Sequence, residues 1–474
     1  MVSDGRPVED RERAENDAAA HPSSGVLAQA TVEEPDGIDA DTRARERESV
    51  PEGRRVRLEV LNHYFVPDVA STGHLLAELV DALADTGDFD VSVITCRPCY
   101  GPPESWQPAA KQERRDGVYI RRLQATRFSK DSLPGRAINY LSFMLPLAVR
   151  QFVKSNKDTL YLYTTNPPFL GIVGVVAGLI RPHRYVMLLH DAYPQLAVLV
   201  GTFRAGGVVE KAWHWVNKRI YRHAEHTIVL CSAAKDLVCE TYGVDPSRVS
   251  VIPNWADGDE LHPVPKAQTE FASANGFVEP FTLLYSGNLG LYYEFETLLD
   301  AAERLKGEPF RLVFIGSGGK KQWIAEQVKK RGLTNVELMP YQPFEKLNDS
   351  LNACDASLVT IAKGIEGISF PSKLYSSLAV GKAIVSISEP WSELRRLVEH
   401  HRVGIWAENG DADALVAQLR EYIADPQRAV DDGKRARELF ERKYTLQKAA
   451  ERYHDVFWRA SPQNAPGPNG RAER

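Results

Sequence analysis

A chain of 474 residues is too long for one hydrophobic core, so two or three domains are expected. Its 43% hydrophobic and 26% charged residues match an ordinary soluble protein, and a net charge of −5 supplies no global basic field for nucleic acid. The five cysteines are scattered and the acidic N-terminus has no apolar segment of signal-peptide type, so a reducing, cytoplasmic setting is expected.

Residues 1–53 are rich in Ala, Glu, Asp, Arg, Ser and Pro and almost free of aromatics. Such a segment cannot bury enough surface to offset its ordering entropy, and disorder is expected there. From 54 to 252 the pattern alternates. Strands are predicted at 56–61, 91–95, 118–123, 160–163, 185–189, 227–230 and 249–252. Helices are predicted at 74–86, 134–154, 169–180, 206–223 and 233–242, with loops at 62–72 and 97–116. Residues 253–279 lack periodicity and read as a linker. Alternation restarts in a second domain at 280–443, followed by a helix at 444–460 and a Pro/Gly/Asn-rich tail at 461–474, expected to be disordered. The implied fold class is α/β, two Rossmann-like domains with parallel sheets facing across a cleft, where ligands bind by default.

Two helices, 137–149 and 169–180, are unusually apolar but too short to span a bilayer. They are either buried helices of a parallel α/β domain or a monotopic membrane-facing surface.

Within the second domain, Gly364 to Ile387 carries one acid, Glu366, then Phe370-Pro371-Ser372-Lys373 opening a predicted helix at 373–380. A lysine among the free N–H groups of a helix start suits a phosphate; the bland alternative is a solvated lysine in a loop–helix–strand unit. Ser286-Gly287-Asn288-Leu289-Gly290 and Ile315-Gly316-Ser317-Gly318-Gly319-Lys320 each follow a predicted strand, where glycines let backbone amides approach a phosphate or simply make turns. All three loops fall on the carboxyl edge of one predicted sheet. No Walker lysine loop and no opening GxGxxG are present, against ATPase and dehydrogenase readings. Cys96-Arg97-Pro98-Cys99 has CxxC form but ends a strand pattern without a second cysteine pair, and reads as reduced loop cysteines without metal or redox chemistry. The acidic pairs Asp257/Asp259 and Asp411/Asp413 read as solvated linker and helix cap, so no metal site is expected.

The segments Val251-Ile252-Pro253-Asn254-Trp255-Ala256-Asp257, Ser286 to Gly290, Phe314 to Gly318 and Phe370 to Lys382 resemble, in order and spacing, the motif series of family 4 glycosyltransferases. The resemblance covers roughly 55–460 and is closest to the bacterial branch that builds lipid-linked surface polysaccharides. It implies a GT-B fold, with an N-terminal acceptor domain (54–252), a donor-nucleotide domain (280–443) and a final helix (444–460) crossing back to the first domain. It also implies retaining transfer from a nucleotide-sugar donor, with no cofactor beyond that co-substrate and no metal. Carried over, the catalytic positions are His190, Asp191, Glu366 and Lys373. The donor-binding positions are Gly287, Asn288, Gly316, Gly318, Lys320, Ser372 and Ser376. Asp68, Ser71, Thr72 and Gly73 fall on the acceptor loop; His190 could equally be a satisfied histidine at a strand end.

The chain departs from the pattern in three places. Asn288 stands where many relatives have Arg or Lys, and Leu291, Tyr292 and Tyr293 stand where a second cation is usual. The paired-acid motif has Ser376 at its second acid, and Glu366 sits about two residues from the usual place of the first. Lys373, aided by Lys320, is then expected to carry most of the positive charge facing the leaving diphosphate. The expected partners are a nucleotide-sugar donor, a lipid-linked or other saccharide acceptor and the inner face of the cytoplasmic membrane. Two rival functions remain: a non-catalytic subunit scaffolding a transferase, and a GT-B sugar-nucleotide epimerase.

Overall fold

A computed structural model of the chain describes residues 55–68, 70–100, 106–128 and 133–463. The tail expected at 1–53 lies outside the described residues. Ser461 and Gln463, assigned to the C-terminal tail from sequence, belong to the folded part: Ser461 is buried and the Gln463 side chain donates to the Arg55 carbonyl (3.1 Å).

The first sheet holds β1 (Val56–Leu61), β2 (Phe89–Cys96), β3 (Gln112–Arg115), β4 (Val118–Leu123), β5 (Thr159–Thr164), β6 (Arg184–Leu189), β7 (His226–Val229) and β8 (Val249–Val251). Their spatial order is β3-β4-β2-β1-β5-β6-β7-β8, and every pair is parallel except the edge hairpin β3–β4. The sequence reading placed β3 in a loop. Its residues, Gln-Glu-Arg-Arg, carry no apolar alternation, and only pairing with β4 makes them a strand. Around this sheet lie α1 (Ser71–Asp85), α2 (Leu133–Lys154), α3 (Gly171–Ile180), α4 (Gln195–Leu199), α5 (Val208–His223) and α6 (Ser232–Tyr242). On α1 the buried residues Leu76, Leu79, Val80 and Leu83 recur at helical spacing, and each contributes roughly 1.5–3 kcal/mol by leaving water.

The interval read as a linker is shorter than 253–279. It contains α7 (Glu270–Asn275), whose Phe271 is buried and whose first N–H groups are capped by Asp349 of the second domain. The second sheet runs β11 (Val336–Met339), β10 (Phe310–Ser317), β9 (Phe281–Asn288), β12 (Ala356–Thr360), β13 (Ala383–Ser388), β14 (Gly404–Glu408) in spatial order, all parallel. β5, β12 and β13 are buried along their whole length, as parallel strands covered on both faces must be. The helices are α8 (Glu296–Arg304), α9 (Lys321–Arg331), α10 (Leu347–Asn352), α11 (Lys373–Ala379), α12 (Glu393–His401), α13 (Ala412–Ala424), α14 (Pro426–Lys443) and α15 (Leu446–Ala460). The sequence analysis predicts no helix at α12, yet Ser392 caps it and Leu394 and Val398 bury its inner face.

α15 packs on the N-terminal unit. Its His454 Nε2 meets the Asp88 carboxylate at 2.9 Å, and the Phe457 and Trp458 rings stand edge-on to Phe89. One apolar core continues from the first sheet across the domain junction to Ile365, Ile368, Phe370 and Leu374, and a second fills the far face of the other sheet.

Candidate active site

The loop after β12 joins the two domains. The Ala192 N–H donates to the Ile368 carbonyl (2.7 Å), and Asp191 and Ser369 form an antiparallel bridge, so 364–370 docks against the end of β6. Gly367 makes the fit possible. It has φ +74°, and a Cβ there would stand 2.9 Å from the Ala233 backbone. At the rim of the same contact, Glu393 on α12 accepts from the Ser232 N–H (2.7 Å).

This docking sets His190 and Asp191 beside the motif loop. Both backbone N–H groups donate to Thr165 Oγ1, at 3.1 and 3.3 Å. Burial lowers the His190 imidazole to about 4, so it is neutral at pH 7. Its Nε2 has no hydrogen-bond partner among the described residues. Burial also raises the Asp191 carboxyl, opposed by a hydrogen bond from Ser369.

Lys373 opens α11, but that helix has only seven residues and Ser372, its exposed N-cap, makes no side-chain capping bond. What sets Lys373 apart is its side chain. Its Cε passes 3.5 Å from the Cβ position of Gly287, and its ammonium lies 3.8 Å from the Tyr293 ring centre and 4.5 Å from that of Tyr285. Among the described residues no carboxylate lies within ion-pair distance of it. Half-burial between these rings pushes the ammonium down to about 7. Tyr292 and Tyr293, read from sequence as a missing cationic clamp, pack against each other at 4.7 Å. Burial, with the Asp191 charge, pushes the Tyr292 phenol up to about 12. The tyrosine pair thus stands between Asp191 on one domain and Lys373 on the other.

The glycine loops are neighbours: Gly316 pairs with Gly287 and Ser317 with Asn288 at the ends of β10 and β9. A Cβ on Gly316 (φ +150°) would run into the Gly287 carbonyl, so the close approach of these loops itself demands glycine. Gly318 similarly faces the Leu289 carbonyl and the Asn288 side chain, which is exposed. Lys320 is already engaged. Its ammonium donates to the Tyr293 carbonyl (2.9 Å) and reaches Glu296 at 3.5 Å, which holds it to the loop before α8.

The Glu366 Oε1 accepts from the Glu393 N–H (2.8 Å), making it a cap of α12, while Oε2 is buried with no partner among the described residues. Burial raises its carboxyl to about 7. The Ser376 hydroxyl folds back on its own helix, donating to the Lys373 carbonyl (3.0 Å).

On the acceptor side, Ser71, Thr72 and Gly73 are the first turn of α1, where a loop was expected, because Gly73 packs at 3.2 Å (Cβ position) on the Phe65 backbone. Asp68 is buried and its Oδ1 accepts from the Cys99 and Tyr100 N–H groups (2.8 and 2.9 Å), which ties the loop after β1 to the loop after β2. The tyrosines Tyr64, Tyr100, Tyr140 and Tyr193 were not singled out from sequence. Their wide spacing carries no signal that Tyr64 and Tyr100 bring their rings to 5.2 Å of one another.

Two parallel-stranded α/β units, meeting at their strand ends around a lysine, define a GT-B glycosyltransferase architecture. The chain belongs to the group 1 glycosyltransferases: residues 72–255 match the "Glycosyl transferase 4-like domain" model and 267–439 match "Glycosyl transferases group 1". WbjE of Pseudomonas aeruginosa, whose name marks it as a glycosyltransferase, is 26% identical over 62% of this chain and 74% of its own. WcaI of Escherichia coli K12, named for colanic acid biosynthesis, is 26% identical over 76% of this chain and 91% of its own. In fold, the chain is similar to sucrose-phosphate synthase of Thermosynechococcus elongatus (18% identity, TM-score 0.66, 85% of this chain and 99% of that one). Anabaena HepE, solved with UDP, is similar over the same shares (15% identity, TM-score 0.64).

Proposed function

We propose that the chain is a retaining hexosyltransferase that moves a sugar from a nucleotide-sugar donor to a polyprenyl-diphosphate-linked saccharide in surface-polysaccharide synthesis. The observation that carries this reading is the Lys373 ammonium, free of any carboxylate among the described residues and seated beside Gly287 at the end of β9. As the glycosidic bond to the donor breaks, negative charge gathers on the departing diphosphate. Lys373 is the cation placed to meet it, in a poorly hydrated site where one charge is worth most. That role would otherwise fall to a metal ion. The UDP and UDP-glucose complexes of Anabaena HepE and the naming of WcaI for colanic acid synthesis support the donor class and the pathway type. Asp191, His190 and Glu366 would line the sugar side, and the first turn of α1 with Ser71 and Thr72 the acceptor side.

Work at a membrane fits the outer face of the N-terminal domain. Along α2 the exposed residues Ile138, Leu141, Leu145, Val149 and Val153 follow one another at helical spacing, so the solvent side of this helix is apolar. Leu145 is 64% exposed and Leu179, on the adjoining α3, 78%. Lys154, Arg181 and Lys211 stand exposed nearby, as at an interfacial surface attracted to anionic lipid. No helix among the described residues is long and apolar enough to cross a bilayer. The enzyme would sit peripherally on the inner face of the cytoplasmic membrane.

A thermal-shift screen of nucleoside diphosphates and nucleotide sugars tests the reading, since a ligand bound only by the folded state raises Tm. One nucleotide class is expected to stabilise the protein, and its sugar conjugate to be turned over only when a lipid-linked saccharide is present. A protein stabilised by none of them would overturn the reading, and turnover of the nucleotide sugar without acceptor would point to an epimerase.

A further inference from the structure

His63 lies in the loop after β1 and Cys96 ends the adjacent strand β2, and the loops that leave these two strands bring the Tyr64 and Tyr100 rings to 5.2 Å of one another. Their donors converge. One ring nitrogen of His63 and the sulfurs of Cys96 and Cys99 all lie within 4.8 Å of one another, and all three residues are buried. In sequence the CxxC has no second cysteine pair; the parallel register of β1 and β2, which pairs Leu61 with Ile94, brings His63 to it instead.

We propose that His63, Cys96 and Cys99 form a binding site for a thiophilic d10 cation, zinc above all, that clamps these two loops together. Two thiolates and a neutral imidazole are a donor set that zinc takes in tetrahedral sites, with one position left for water. The positions are held in advance. The Cys96 N–H and the Thr95 hydroxyl donate to the His63 carbonyl (3.2 and 3.1 Å), and Asp68 holds the Cys99 N–H. The His63 ring is wedged among Tyr64, Tyr140 and Phe143, with centroids at 4.6, 5.7 and 5.0 Å, which restrains its orientation.

The charge balance suits burial. Two S–H bonds break, two S–Zn bonds form, the imidazole contributes a lone pair, and two protons leave to solvent with no electron transferred. A doubly charged cation with two thiolates is neutral, so no net charge is buried. The remaining cysteines (Cys231, Cys239, Cys354) have no such grouping among the described residues. The site lies on the N-terminal domain and does not depend on the transferase reading.

The experiment uses the full-length chain, chelator-stripped, with all thiols shown to be reduced. Titration with Co2+ is expected to give a near-ultraviolet thiolate-to-metal charge-transfer band that saturates at one ion per chain and is bleached by Zn2+. Cys99→Ser should lose the band, and Cys354→Ser should keep it. X-ray absorption on the zinc-loaded wild-type chain needs no variant and should show two sulfur scatterers in a mixed sulfur–nitrogen shell. No band with reduced thiols, an all-nitrogen/oxygen shell, or a band that survives in the Cys96→Ser/Cys99→Ser double variant would overturn the proposal.

Discussion

The Lys373 ammonium lies 3.8 Å from the centre of the Tyr293 ring, on the cleft side of Gly287. The ring face stabilises the cation weakly, by about 0.5–2 kcal/mol, and burial opposes it more strongly, which is why the group titrates near 7. In the free protein at pH 8 Lys373 is therefore mostly neutral. An anionic diphosphate favours the charged form, so its binding takes up a proton. Affinity for a stabilising nucleoside diphosphate is expected to weaken as pH rises above about 7, by at most about tenfold per unit. Calorimetry in buffers of different ionisation heat reads the proton directly, and the same pH dependence in Lys373→Met would assign it elsewhere.

Glu366 gives the opposite kind of linkage. Its carboxyl is raised from 4.5 to about 7, so the folded chain keeps a proton that the unfolded chain has lost. Wild-type stability should fall as pH rises from 4.5 to about 7 and then level off. Glu366→Gln keeps an acceptor for the Glu393 N–H and lacks that slope. Compared with wild type it should gain on the order of 1 kcal/mol between pH 5 and pH 8, discounted because the side chain is only half-buried. Denaturation at the two pH values checks this, and an unchanged difference would count against it.

The junction between the domains rests on a glycine that cannot be replaced freely. Gly367→Ala forces φ +74° on a residue with a Cβ and drives that Cβ into the Ala233 backbone. A penalty of about 1–3 kcal/mol is expected, expressed as opening of the 364–370 contact. Transfer kcat/KM should drop about 5- to 100-fold, while nucleotide affinity, which the proposed function assigns to the second domain, changes less than about threefold. Equal losses in both would show general misfolding.

For the proposed membrane face, Leu145→Glu with Val149→Glu places two charges on the exposed stripe of α2 without touching Phe143 or Leu147 beneath it. Co-sedimentation with vesicles containing anionic lipid should fall at least tenfold, with Tm and nucleotide binding unchanged. Undiminished sedimentation would remove α2 from the interface.

Much of the architecture could be read from residues alone, because it rests on local patterns. The continuous apolar runs of β5 and β13, the helical spacing on α1 and the glycines after β9 and β10 identify parallel α/β units. β3 escaped because charged residues become a strand only through a partner. The site was legible as a set of loops and not as a set of contacts. Nothing local says that Lys320 is occupied by the Tyr293 carbonyl, that Glu366 caps α12, or that Tyr285 and Tyr293 flank Lys373. The same holds for His63 beside Cys96 and Cys99, a pair that reads from sequence as reduced loop cysteines. These are meetings between distant segments, and side-chain periodicity carries no record of them.

In the proposed reaction Lys373 is the counter-charge of the departing diphosphate. The most direct test of that role is the rate of nucleoside diphosphate release from a turned-over donor in Lys373→Met and Lys320→Met, measured in parallel at saturating donor. Loss of a preorganised charge at the leaving group should lower kcat about 10²- to 10³-fold for Lys373→Met. Lys320→Met, which removes a cation already spent on Tyr293 and Glu296, should stay within about threefold of wild type. Equal rates in Lys373→Met and wild type, with both folded, would remove Lys373 from that role.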